Sequence, residues 1–454
     1  MATEALKSLS IEDGAPGDTR AFTSNRARGS SGGSGRRSSS KRGSRPSIEM
    51  SRLGKMEALT VPITGERFNI VFIGAGGIHF GSDVGPWNHS FRLEHKLGPR
   101  LKVVGLIDPS QENAARDTVI YSSFEEFALA VTNETTPHAF MVGSPAAFHG
   151  STEPGADLEI QIMNRFPDAA LFVEKPISAS PVPSTLEVAQ AIEDRKVVCS
   201  VGYMLRYLKV VQRMKNIIEE NDLTVMATVA RYISAYAKIR SPLWWDKSKS
   251  CGPIVEQGTH FCDLSRYFGG EVLLDTVQAT SLEWFEEAGG LSVMQIDESK
   301  ILEKNRVPRV TSASWKYENG AVGSFVHAIV LQGTKYSTEL EVYADGYQFK
   351  LVDAYNNPQL FVRHPESDAE EMIVEENDDP YFGEISAFID AAEAAGSSAI
   401  IDDDNYQSGI LSSFRDAAGT YALTWKQVRE VRKLKVWSKA MIALDYSTIA
   451  VTIT

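Results

Sequence analysis

Three stretches of this chain combine residue types and spacings that can do chemistry. The first is Gly74-Ala75-Gly76-Gly77-Ile78-His79, directly after the apolar run Phe68 to Ile73. Glycines after a strand let the backbone turn tightly and approach a pyrophosphate at a helix N-terminus. Gly74, Ala75, Gly76, Gly77 and Ile78 are therefore the expected phosphate cradle, with His79 standing where the dinucleotide fingerprint has Gly or Ala. Asp108 ends a second apolar run, Leu101 to Ile107, and is the expected acceptor for both ribose hydroxyls. It lies further downstream than the fingerprint's ~20 residues, and the stretch Gly81 to Gly98 accounts for the excess as a longer loop and helix. An acid here repels a 2′-phosphate, which points to NAD. Arg116 follows closely enough to keep NADP open.

The second stretch is Glu174-Lys175-Pro176, after the apolar run Ala170 to Val173. Carboxyl ends of strands in parallel sheets are where ligands bind, and a lysine beside an apolar strand and a cationic nicotinamide releases its proton more easily than in water. The third runs from Gly252-Pro253 through Glu256 and His260 to Asp263. Read as one helix opened by Pro253, it puts Glu256, His260 and Asp263 on one face at i, i+4 and i+7. An imidazole between two carboxylates is an oriented base with raised proton affinity. The same trio could be a solvated polar face or a metal site. Ligating histidines usually come in larger clusters, so no metal is expected.

The elements that must position these residues follow from periodicity. Apolar runs at Phe68 to Ile73, Leu101 to Ile107, Ala139 to Val142, Ala170 to Val173 and Val197 to Val201 alternate with helix-like stretches at Ser123 to Val131, Asp157 to Asn164 and Ser184 to Asp194. That alternation predicts a doubly wound parallel sheet. After Tyr203 the pattern changes. A helix over Leu208 to Glu220 leads into longer strands at Thr224 to Ser234, Asp275 to Trp284, Val310 to Tyr317 and Ala321 to Leu331, with hairpin turns at Asn319-Gly320 and Asp345-Gly346. Helices are expected near Tyr381 to Ala395 and Tyr406 to Val428. The fold class is thus an α/β Rossmann domain followed by an α+β domain with a largely antiparallel open sheet. The expected boundaries are a Ser/Gly/Arg-rich disordered tail at 1–66, the dinucleotide domain at 67–202, the second domain at 203–428 and a tail of no assigned role at 429–454.

Composition bounds the rest. The 454 residues are 43% hydrophobic and 23% charged, which suits globular domains. A net charge of −13 argues against nucleic acid as a partner. Cys199, Cys251 and Cys262 are too few for a disulfide framework and form no CxxC zinc pair. No apolar run approaches a membrane span, so a soluble, cytoplasmic protein is expected. Basic clusters at Arg36-Arg37 and Lys41-Arg42 leave a nuclear address open.

Taken in order, these motifs resemble the glucose-fructose oxidoreductase, inositol dehydrogenase and MocA family over roughly Phe68 to Val428. Beside the glycine turn and Glu174-Lys175-Pro176, Ser144-Pro145-Ala146-Ala147-Phe148-His149 is similar to the family's Thr-Pro-Asn-x-x-His loop. Gly202 to Tyr207 is similar to its Gly-Phe-x-x-Arg-Phe segment, and Trp245 followed by Gly252 to Asp263 to its catalytic helix. The resemblance implies that Lys175 and His260 carry proton transfer, with Glu256 orienting or binding substrate. It implies cofactor contacts from Ser144, Pro145, His149, Glu174, Lys175 and Arg206, and substrate contacts from Trp245, Glu256 and His260. It also implies that the Lys175-Pro176 peptide is cis and that the chain pairs as a homo-oligomer through the open sheet. Ala146 replaces the family's Asn and Glu256 its usual Asp. The expected activity is NAD(P)-dependent hydride transfer to or from a hydroxyl-bearing carbon of a sugar, polyol or related small molecule. The alternatives are a non-enzymatic dinucleotide-binding regulator of the same fold, or a reductase of a dihydrodiol or a tetrapyrrole.

Overall fold

A computed structural model of the chain describes residues 65–82, 85–110, 118–237, 239–396 and 407–431. The expected N-terminal tail up to residue 64, Arg116, and residues 432–454 lie outside the described residues.

Six parallel strands build the first sheet: β1 (Phe68–Ile73), β2 (Leu101–Ile107), β3 (Ile120–Tyr121), β4 (Ala139–Val142), β5 (Ala170–Val173) and β6 (Cys199–Val201). Their order is β3-β2-β1-β4-β5-β6, with every pairing parallel. This is the strand order of a Rossmann sheet, which reverses direction between β1 and β4 and opens a crevice there. All six residues of β1 are buried because the sheet is covered on both faces. On one face Val71, Phe140, Leu171 and Val173 pack against α4 (Leu158–Arg165) and α5 (Val182–Asp194). On the other, Ile70, Phe72, Met141 and Phe172 pack with Ile385, Phe388 and Ile389 of α8 (Pro380–Gly396).

The preceding helices are α1 (Gly77–Phe80), α2 (His89–Leu97) and α3 (Phe124–Ala130). A final helix, α9, spans 414–431 and returns to the first face through Phe414, Ala417 and Tyr421. Its start is later than the expected Tyr406, because residues 407–409 form a turn in which Gly409 has φ +85°. Tyr406 itself is outside the described residues.

The second sheet has eight strands: β7 (Val225–Ala235), β8 (Val272–Leu282), β9 (Val310–Tyr317), β10 (Val322–Leu331), β11 (Ser337–Ala344), β12 (Tyr347–Val352), β13 (Gln359–Arg363) and β14 (Glu370–Val374). The order is β14-β13-β12-β11-β7-β10-β9-β8, antiparallel except where β10 meets β7. Burial alternates strictly along β9 and β11, so one face is packed and one is open. The packed face meets α6 (Lys209–Glu220) and α7 (Thr259–Gly269) through Met214, Phe261, Leu264, Phe325 and Leu340. The Asn319-Gly320 and Asp345-Gly346 turns close hairpins as expected, with φ +89° and +74° at the glycines. Strands β3, β13 and β14 have no counterpart in the sequence reading. β14 is an exposed edge carrying Glu370 and Glu371, so its apolar alternation is weak. Among the described residues no helix is long and apolar enough to cross a membrane.

Candidate active site

The glycine turn follows β1. Gly74 has φ +97°, and a Cβ there would lie 2.9 Å from the Gly143 carbonyl oxygen. Only glycine meets both conditions. A Cβ on Gly76 would touch nothing within 4 Å, so this position borders open space where a phosphate can approach the backbone. Asp108 stands at the end of β2 with one carboxylate oxygen accepting from Ala75 N at 2.7 Å and the other from Ser110 N at 2.8 Å. The acid thus reaches the glycine turn despite its long sequence separation, because α2 and its loop fill the intervening chain.

Two details of this turn differ from the expected pattern. The helix after it, α1, has only one turn, so few aligned peptides contribute a dipole at the glycine turn. His79 is fully buried, and its Nδ1–H donates to the Gly74 carbonyl at 2.8 Å. It closes the turn with a side chain where the fingerprint relies on a small residue. Burial and the neighbouring His89 push its pKa down to about 3.

Ser144 follows β4 beside Gly74, and its buried hydroxyl oxygen has no partner. A buried hydroxyl without a partner is costly unless a ligand satisfies it. Together with the open space at Gly76 it shows that these residues fit a dinucleotide.

At the end of β5 the Lys175-Pro176 peptide is cis. The Lys175 ammonium donates to the Glu256 carbonyl at 3.1 Å and lies 3.6 Å from its carboxylate. The Glu256 carboxylate also accepts from Trp244 Nε1 at 3.2 Å. Residues Ile254–Gly258 form a π-helical turn, which then passes into α7. Such a turn reshapes a helix locally and often marks a site. His260, 8% exposed, follows it. Its ring meets Tyr203 and Tyr355 edge-on at 5.8 and 6.0 Å.

The expected imidazole between two carboxylates is not what forms. Asp263 turns away and is gripped by Arg206 through two bonds of 2.7 Å, both groups buried. Glu256 is engaged by Lys175 and Trp244. Burial, and then the Lys175 charge, hold His260 well below the usual imidazole range. The proton affinity is lowered, not raised, and the ring is neutral with an unpartnered Nδ1.

Four other expected contacts are also redirected. Arg206 is spent on Asp263, Asp416 and the Leu411 carbonyl, so it locks the core and has nothing left for a cofactor. His149 is 1% exposed and bonded to the buried Glu159 at 3.1 Å. Trp245 is 1% exposed, with Nε1 donating to the Ile239 carbonyl; its neighbour Trp244 is the one that reaches Glu256. Glu174 points inward, accepting from His89 Nε2 at 2.7 Å. Pro145 caps the short helical turn Ala146–Phe148, and no contact singles it out.

The sequence reading missed a wall of tyrosines beside His260. Tyr232, Tyr336 and Tyr355 come from β7, the start of β11 and the loop after β12, and all three feel the Glu256 charge. Gln257 reaches the same layer, accepting from His327 Nε2 at 3.1 Å. No local spacing marks these residues, because sheet pairing alone brings them together.

Comparison with known proteins decides the family. The model described as "Oxidoreductase family, NAD-binding Rossmann fold" matches residues 68–203, and an oxidoreductase C-terminal domain model matches residues 206–347. An uncharacterized protein of Schizosaccharomyces pombe is 46% identical over 386 residues, covering 81% of this chain and 92% of its own length. The chain belongs to the Gfo/Idh/MocA oxidoreductase family. Solved structures of this Gfo/Idh/MocA fold include levoglucosan dehydrogenase in complex with NADH and levoglucosan. It is 17% identical with a TM-score of 0.62, covering 81% of this chain and 98% of that one. A UDP-N-acetylglucosamine 3-dehydrogenase from Acidithiobacillus ferrooxidans is 15% identical with a TM-score of 0.57, covering 80% and 98%. At such identities these two establish the shared fold. The first sheet is thus an NAD-binding Rossmann fold, and the chain an oxidoreductase of this family.

Proposed function

We propose that this protein is an NAD-dependent dehydrogenase of a hydroxyl-bearing carbon in a sugar, polyol or related small molecule. The observation that carries the reading is the meeting of Lys175, Glu256 and His260 at the carboxyl end of β5, two strands from the glycine turn. Bound NAD supplies a hydride acceptor at that end of the sheet, and Gly74 to Ile78, Asp108 and Ser144 are the residues that would hold it.

Each side chain then has a task set by its surroundings. The Lys175 ammonium, steadied by Glu256, stabilises negative charge developing on the substrate oxygen. Neutral His260 accepts the hydroxyl proton as the carbon–oxygen double bond forms. Because burial and Lys175 lower its proton affinity, the proton does not rest on the ring. It passes to the partly exposed Glu256 carboxylate and from there to solvent. The tyrosine wall offers flat apolar surface to a ring face, and the buried Tyr355 hydroxyl, which has no partner, offers a hydrogen bond to a substrate hydroxyl. Levoglucosan and the UDP-sugar for which the two solved relatives are named are of this class.

Screening the purified protein against sugars, polyols and dihydrodiols with NAD tests the reading, and reduced cofactor should form with at least one sugar or polyol. Activity confined to dihydrodiols would move the substrate class, and none with any compound would favour a regulator.

NADH should bind more tightly than NADPH, because Asp108 stands at the turn where a 2′-phosphate would meet its charge. Fluorescence titration measures both, and Asp108→Ser should narrow the gap. Tighter NADPH binding by the parent would remove Asp108 from that role.

We also propose pairing with a second copy through the open face of the second sheet, where Val229 and Val322 are exposed. Light scattering should give a dimer or larger, and a monomer at micromolar concentration would refute it.

Acid should destabilise the fold through His327. Burial pushes its pKa from 6.5 down to about 3. The unfolded chain therefore binds a proton that the folded chain refuses. The stability this ring contributes is intact above 6.5 and falls as pH drops toward 3, by up to about 1.4 kcal/mol per pH unit. Denaturant unfolding between pH 7 and 4 should show a shallower slope in His327→Gln than in the parent. Equal slopes would mean that the ring becomes solvated on protonation.

A further inference from the structure

Glu384 presents an unresolved charge. It lies on α8, is 1% exposed, and neither carboxylate oxygen has a hydrogen-bond partner. It faces two groups from distant parts of the chain: His89 at the start of α2 and Glu174 at the end of β5. One donor atom from each of the three lies within 4.8 Å of the others. His89 is 0% exposed, and its Nε2 holds Glu174 at 2.7 Å. The nearby Arg92 guanidinium is already bonded to Asp379 at 3.0 Å and covers the Tyr381 ring. Two buried carboxyls therefore face one another without a full countercharge. Such a pair persists only if a proton or a cation stands between them.

We propose that His89, Glu174 and Glu384 form a binding site for a divalent transition-metal cation, zinc in the first instance. One imidazole nitrogen with two carboxylates is a borderline donor set, suited to zinc, manganese or iron(II) and unlike the all-oxygen sites of magnesium and calcium. A dication exactly offset by two carboxylates leaves the buried cluster neutral. At bonds of ~2.1 Å, tetrahedral donors sit about 3.4 Å apart, so the site closes with side-chain adjustments of about 1.4 Å or less. On binding, His89 carries its one proton on Nδ1, which frees Nε2 for the metal, and a water completes the fourth position.

None of the three side chains has a part in the proposed proton transfer. The site ties α2 and α8 to the strand end that carries Lys175, so its role is structural. It stands apart from the proposed dehydrogenase reading, which can fail without affecting it.

The test uses the full chain, stripped with a chelator and dialysed against Zn²⁺, with metal content measured by mass spectrometry. The parent should retain one equivalent and melt at a higher temperature than the stripped form. Glu384→Gln and His89→Gln should each weaken Zn²⁺ binding on the order of a hundredfold or more, since loss of even an outer-shell partner costs about 10- to 100-fold. Co²⁺ titration of the parent, followed by its visible absorption, gives a second readout should a variant fold poorly. Binding that is unchanged in both variants would overturn the proposal. So would a parent that takes up no metal and shows a protonated-carboxyl infrared band lost in Glu384→Gln, because a proton would then hold the pair together.

Discussion

Lys175→Met and His260→Ala should each lower turnover by on the order of a hundred- to ten-thousand-fold, the usual cost of losing a general acid or base. NADH binding should change far less, because one lost cofactor contact costs on the order of 1 kcal/mol. The contrast follows from placement. The glycine turn, Asp108 and Ser144 follow β1, β2 and β4, whereas Lys175 and His260 meet at the end of β5. Steady-state rates with an active alcohol, beside fluorescence titration of NADH, separate the two effects. If His260→Ala keeps near-parent turnover when the chemical step limits the rate, the ring is not the base. Lys175 would then carry the proton, and Glu256 would be a substrate contact only.

The second large effect is on stability. Arg206→Met should destabilise the fold by about 3–5 kcal/mol, because it leaves the buried Asp263 carboxylate without its two-bond partner; Asp263→Asn should cost less, because Asp416 still pairs with Arg206. Both groups are buried, and the pair joins the segment after β6 to α7 and, through Leu411 and Asp416, to the start of α9. Arg266 adds a further tie from α7 to Asp416 and Thr420. Denaturant unfolding of both single variants and the double variant measures the coupling. A double variant more stable than Arg206→Met alone is expected, since Asp263 then carries no unpaired charge. Loss below about 1 kcal/mol in both single variants would place the pair in a solvated setting.

That ion pair also shows where sequence reasoning ran out. Glu256, His260 and Asp263 do fall at helical spacings, and each is near the cleft or its floor. Spacing says nothing of what approaches from elsewhere in the chain. Arg206, 57 residues from Asp263, captures its carboxylate, and the π-helical turn alters the register between Glu256 and His260. The parallel sheet was legible because its strands are continuous apolar runs ended by glycine, Asp108 and Glu174-Lys175. So was the place of Asp108, once the insertion before it was read as a loop and helix. The return of α8 and α9 to the first sheet was not legible, since an apolar helical stripe does not name the surface it will cover. Nor was the cluster of His89, Glu174 and Glu384, whose members are 85 and 210 residues apart in sequence.

The most direct test of the central claim is transfer of a labelled hydrogen. An active sugar or polyol carrying deuterium on its hydroxyl-bearing carbon should yield deuterated NADH in a single turnover with the parent, and almost none with His260→Ala at saturating NAD. Unlabelled NADH from the parent, or no reduction of bound NAD by any sugar or polyol, would contradict direct hydride transfer in this cleft.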